Sequence, residues 1–159
     1  MKPRVPASVS EEYESLYQSL KDAVNVPGNI GLAAKDAFRL AQSHYDKDFE
    51  YALPPLKFLP TIANENITGE IEKISNMTAR LKRELPHMRR ETENIVGALE
   101  KLADVALRED KREYHGLARA FIRFMQREDQ ILYPAVILIG DLIEAKAELE
   151  GRKLAQLHA

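Results

Sequence analysis

From Ile71 to Ala106 apolar or small residues return every three or four positions without a gap: Ile71, Ile74, Met77 or Thr78, Leu81, Leu85, Met88, Thr92, Ile95, Leu99, Leu102 and Ala106. That is the period of one helix face. A stripe this long, with charged residues between its members, demands a long amphipathic helix that buries the stripe against other helices. Strand-like alternation of useful length is absent from the chain. The fold class is therefore all-α. Pro86 lies inside the stripe and predicts a kink or a break near residue 85.

Three more segments share the period. In the first, Ser8 or Ser10 is the expected cap, Ser8 and Glu11 form a capping-box pattern, and Val9, Tyr13, Leu16, Leu20, Ala23 and Val24 form the face, up to the breaker "NVPGN" at 25–29. A second helix begins near Ile30 with the stripe Ala33, Ala37, Ala41, His44, Asp48 and Ala52, and stops at "LPPLKFLP". "TIANENITGE" (61–70) reads as a loop and "REDKRE" (108–113) as a connection. The last segment carries Tyr114, Leu117, Ala118, Phe121, Phe124 or Met125, Glu128, Leu132, Ala135, Ile139 and Leu142, and Pro134 should kink it. Heptad-like spacing continues through 141–157, with a charged face suited to solvent or to another subunit. Short connections favour an up-down antiparallel four-helix bundle. A single domain over 1–159 is expected, with its core at about 8–146 and a C-terminal helical extension that makes a homo-oligomer conceivable.

Two stretches of this pattern align. "SHYDKDFEYALPPL" (43–56) and "RFMQREDQILYPAV" (123–136) match with His44 over Phe124, Asp48 over Glu128, Leu53 over Tyr133 and Pro54 over Pro134. The two halves, roughly 8–58 and 70–146, thus look like copies of one helix pair. His44 and Asp48 are four residues apart, so both leave the same, apolar face. Glu128 is on the equivalent face of the last helix. A charged group in a core needs partners, and three such groups can satisfy one another by holding a cation. Imidazole and carboxylate without thiolate suit iron, manganese or zinc. Taken singly, His44 can also be a satisfied core histidine, and Glu128 can pair with Arg123 or Arg127.

Composition excludes other classes. The chain has 159 residues, 45% hydrophobic and 30% charged, enough for one core. There is no cysteine, hence no disulfide, thiolate ligand or thiol nucleophile. With a net charge of −2, and with the basic cluster at 79–91 interleaved with Glu, no nucleic-acid partner is expected. No apolar run reaches membrane-spanning length and the N-terminus has no signal-like core, so a cytoplasmic protein is expected. No Ser/His/Asp set and no Gly-rich phosphate loop suggests a catalytic mechanism.

The whole pattern resembles the hemerythrin-like family, also called HHE cation-binding domains. These are four-helix bundles that hold non-haem di-iron, with His-x-x-x-Glu, an apolar residue, an aromatic residue and Pro on the second and fourth helices. "HYDKDFEYALPP" matches at His44, Asp48, Leu53 and Pro54, with Asp for Glu, and "FMQREDQILYPA" matches at Glu128, Asp129, Leu132, Tyr133 and Pro134, with Phe124 in the histidine position. The family's histidine of the first helix is replaced by Tyr13; that of the third corresponds to His87 in "ELPHMRRE". The resemblance covers about 9–140. It implies a metal ion, mononuclear or di-iron, held among Tyr13, His44, Asp48, His87 and Glu128, and a role in oxygen binding, oxygen, nitric-oxide or redox sensing, or iron handling. The competing expectation is a metal-free bundle that has lost the di-iron site and serves as an interaction or regulatory module.

Overall fold

A computed structural model describes residues 4–64 and 69–158; residues 65–68, the middle of the expected 61–70 loop, lie outside the described residues. The described chain is helical, with no strand among these residues. The first arm is α1 (Ala7–Ala23). The second is α2 (Asn29–Lys47), which passes into a π-helical turn, Asp48–Ala52, then a 3-10 turn, Pro54–Phe58, and the short α3 (Leu59–Ala63). The third is α4 (Ile71–Arg108). The fourth is α5 (Arg112–Arg127), a second π-helical turn, Glu128–Leu132, and α6 (Tyr133–Leu157). These four arms enclose one hydrophobic core. The stripe that runs along α4 supplies its spine, from Ile74 through Leu81, Met88 and Ile95 to Leu102, and α4 packs against α2, α5 and α6.

One local expectation is corrected, and two prolines find their places. Neither Ser8 nor Ser10 caps α1: the helix starts one residue before Ser8, with Pro6 at the cap position and its carbonyl accepting the N–H groups of Val9 and Ser10 at 3.0 and 2.9 Å. Proline's fixed φ pre-sets that start, and the neighbouring Val5 is buried. Pro86 does not break α4. It lies on the exposed side, as does Lys82, whose carbonyl loses its helical N–H partner there and can bond water instead. Pro134 does not interrupt a continuous α-helix either; it lies in the first turn of α6, directly after the π-helical turn.

That turn is where the repeat becomes structural. Leu53 N–H bonds the Asp48 carbonyl at 2.9 Å, and Tyr133 N–H bonds the Glu128 carbonyl. Each is a five-residue-wide bond immediately before a proline. A proline cannot donate to the carbonyl four residues back and its ring crowds that carbonyl. Widening the turn by one residue resolves both problems. The two aligned segments therefore share one backbone solution, with Asp48 and Glu128 both opening a wide turn. Such π-bulges often accompany functional sites.

Two close approaches tie the arms together. A Cβ on Gly140 of α6 would lie 2.3 Å from Thr78 Oγ1 on α4, so only glycine permits that spacing. A Cβ on Gly31 would lie 1.9 Å from the Val26 carbonyl, so the α1–α2 connection folds back on the start of α2 only because residue 31 lacks one. His115, near the start of α5, bonds the Ala103 carbonyl on α4 at 3.2 Å and is a helix-pairing residue. No described helix is long and apolar enough to cross a membrane.

Candidate metal centre

His44 lies in the last turn of α2, and Asp48 and Glu128 begin the two wide turns. All three side chains point into the core and are 0% exposed. Each offers one donor atom, and the donor atoms lie within 4.8 Å of one another. His44 Nε2 is 3.0 Å from Glu128 Oε1 and 3.4 Å from Asp48 Oδ2. Donors bound at right angles about 2.1 Å from one ion sit roughly 3 Å apart, so these separations are of the size a single coordination sphere needs.

Two phenols close the cluster. Tyr13 of α1 donates to Asp48 Oδ2 at 2.6 Å. Its ring is fixed by aromatic neighbours, with centroids 5.0 Å away at Tyr45 and 4.5 Å away at Phe124. The Tyr133 hydroxyl touches three groups: Asp48 Oδ1, Glu128 Oε1 at 2.9 Å and His44 Nε2 at 3.1 Å. One phenolic proton cannot serve two carboxylates at once. The contacts are mutually satisfied when Asp48 holds a proton and Tyr133 donates its own hydrogen bond to Glu128.

The charge balance points the same way. Burial, reinforced by the neighbouring Glu128 charge, holds the Asp48 carboxyl well above its usual range, against the opposing pull of His44 and the two tyrosines. Burial opposes a charge on His44, but Asp48, Glu128 and Glu91 together outweigh it and raise the imidazole well above its ordinary value. Burial and the same two core carboxylates raise both Tyr13 and Tyr133. One buried atom stays without a partner among the described residues, Glu128 Oε2. An unpaired buried carboxylate oxygen is costly, and a cation is a natural partner for it.

Glu91 of α4 has no counterpart among the sequence candidates. Its carboxylate lies 3.4 Å from His44 Nδ1 and 3.0 Å from Lys47 Nζ. Burial would raise it, but hydrogen bonds from His44 and Lys47 prevail and lower it to about 2. A carboxylate on the far nitrogen orients the imidazole and leaves Nε2 aimed at the cluster, the arrangement usual behind a metal-bound histidine. No spacing along the chain singles Glu91 out; its role comes from the packing of α4 against α2. His87 itself is 51% exposed and meets Glu91 at 3.8 Å; it is not part of the His44–Asp48–Glu128 cluster. Phe124, at the position matching His44, is buried against the Tyr13 ring.

Compared with family models, with curated proteins and with solved structures, the chain matches none.

Proposed function

We propose that this protein binds one first-row transition-metal ion, iron by preference, in the core of its helical bundle. The observation that carries the proposal is the convergence of three fully buried ionisable side chains, His44, Asp48 and Glu128, with Glu128 Oε2 left without a protein partner among the described residues. His44 Nε2 and one oxygen each from Asp48 and Glu128 are the ligands; Tyr13 and Tyr133 hold Asp48 and are further oxygen donors. One nitrogen and several hard oxygens without sulfur suit iron or manganese, and zinc less specifically. Two ions do not fit this donor set. Phe124 supplies no nitrogen, Tyr13 stands in for a histidine, and His87 lies outside the cluster. The reading is thus a hemerythrin-like bundle, up-down and antiparallel, reduced to a mononuclear site. Iron so held supplies redox chemistry and an affinity for small gases, which is the basis for a role in oxygen or nitric-oxide sensing or in iron handling.

A specific observation favours a second reading. Phe124 and Tyr13 pack ring to ring, and the two phenols already satisfy Asp48 through hydrogen bonds. In that reading the network is a polar lock between arms of a metal-free interaction module. Elemental analysis of protein purified without chelators, followed by anaerobic ferrous loading, separates the two. The metal reading expects close to one ion per chain and ligand-to-iron charge-transfer absorption in air. Loaded protein with neither would leave the polar lock.

A further inference from the structure

α6 has two apolar faces, and the bundle uses one. Tyr133, Val136, Ile139, Gly140 and Ile143 are buried. On the other side, Ala135, Leu138, Leu142, Ala145 and Leu149 recur in alternating steps of three and four, with Ile131 one step earlier. Leu138, Leu142 and Leu149 are 66%, 42% and 55% exposed. A step pattern of three and four is the seam of a coiled coil, and scattered surface leucines do not produce it. The helix also continues past the bundle: every residue from Ala147 to Leu157 is exposed. A helical overhang this short is marginal in water without tertiary support.

The charges flanking the seam say what covers it. Asp141 and Glu148 lie along one edge, and Lys146 and Lys153 along the other. If a second α6 lies alongside in the same direction, each acid faces a lysine of the other copy: Asp141 opposite Lys146, and Glu148 opposite Lys153. In the opposite direction acid would face acid and lysine would face lysine, which is repulsive. Asp141 also reaches Lys82 at 3.3 Å within the chain, an exposed pair of little weight. Beyond Leu149 the seam positions are Arg152 and Gln156, so the apolar contact ends there.

We infer that the protein forms a parallel dimer of two identical chains through the outer face of α6, from Ala135 to Leu149, with the Asp141–Lys146 and Glu148–Lys153 pairs setting direction. The two bundles stand on opposite sides of this coiled coil. The ion site is internal to each chain, so dimerisation and metal loading are independent.

Light scattering on the full chain at high micromolar concentration tests it. The expected mass is twice 18.1 kDa. Leu142→Glu with Leu149→Glu is expected to halve that mass while circular dichroism stays helical. Lys146→Glu with Lys153→Glu is expected to be monomeric alone, and to form a heterodimer with a chain carrying Asp141→Lys and Glu148→Lys. The chain has no cysteine, so Ala145→Cys adds a lone thiol that meets its own copy only in the parallel register; mild oxidation then gives a covalent dimer. A wild-type mass of one chain overturns the inference. So does a dimer that survives the leucine substitutions, and an Ala145→Cys dimer that fails to cross-link overturns the parallel direction.

Discussion

Replacing His44 with Gln separates the two readings of the core most sharply. Glutamine has comparable reach and keeps one N–H for Glu128, which His44 now meets at 3.0 Å. It cannot carry a positive charge and is a poor metal ligand. Without metal, His44 makes hydrogen bonds to two carboxylates, Glu128 and Glu91, and the change leaves at most one. A hydrogen bond to a charged group contributes about 1.5–3 kcal/mol, so the net loss is about 1.5–3 kcal/mol. For a chain of this length that is a fall in Tm of about 3–12 °C. Metal changes the comparison. An ion at about a hundred times its Kd stabilises the native state by about 2.7 kcal/mol, which raises the wild-type Tm by about 5–11 °C. The Gln variant should show almost none of this rise. The assay is thermal unfolding with anaerobic ferrous iron, manganese or zinc, and magnesium as the control. A wild-type Tm unmoved by every transition metal, or a Gln variant that gains as much as wild type, refutes the ligand assignment.

Three further outcomes follow from the same geometry. Tyr133→Phe removes the hydroxyl shared by Asp48, Glu128 and His44; chemical denaturation without metal should show a loss of about 1.5–3 kcal/mol. Phe124→His adds a nitrogen donor beside Tyr13; elemental analysis should show tighter metal retention than wild type, while the metal-free variant loses about 1–3 kcal/mol because an apolar niche receives a polar ring. The pH dependence of metal-free stability has two limbs. The His44 value is raised by folding, so its contribution is full below its ordinary 6.5 and is lost as pH rises through the higher folded value. The Glu91 value is lowered from 4.5 to about 2, so its contribution is present above 4.5 and is lost as pH falls toward 2. Asp48, whose value folding raises well above 3.8, acts in the same sense as His44: its contribution is full below 3.8 and is lost as pH rises. Denaturation midpoints between pH 3 and 9 should therefore peak at about pH 4–5 and decline on the alkaline side, and His44→Gln should flatten the part of that decline above 6.5.

Much of this was legible along the chain because it is local. A helix face is a matter of spacing, so the stripe of α4, the shared face of His44 and Asp48, and the match of "SHYDKDFEYALPPL" to "RFMQREDQILYPAV" all read directly from order. The wide turns were not legible in this way: each precedes a proline, yet Pro86 sits in an unbroken α-helix, so the proline alone does not dictate one. Which turn of α4 faces α2 is a different kind of question. His87 and Glu91 are one turn apart on α4, and only the register of packing against α2 puts Glu91 on His44 and leaves His87 at the surface. The convergence of Tyr13, Tyr133 and Glu128 on Asp48 is of the same kind. Those residues come from three arms of the bundle, and their meeting depends on how α1, α2 and the last arm slide along one another. Side-chain periodicity sets which face is buried; the depth at which two buried faces interlock is set by the shapes of everything between them, and the tertiary structure alone decided it.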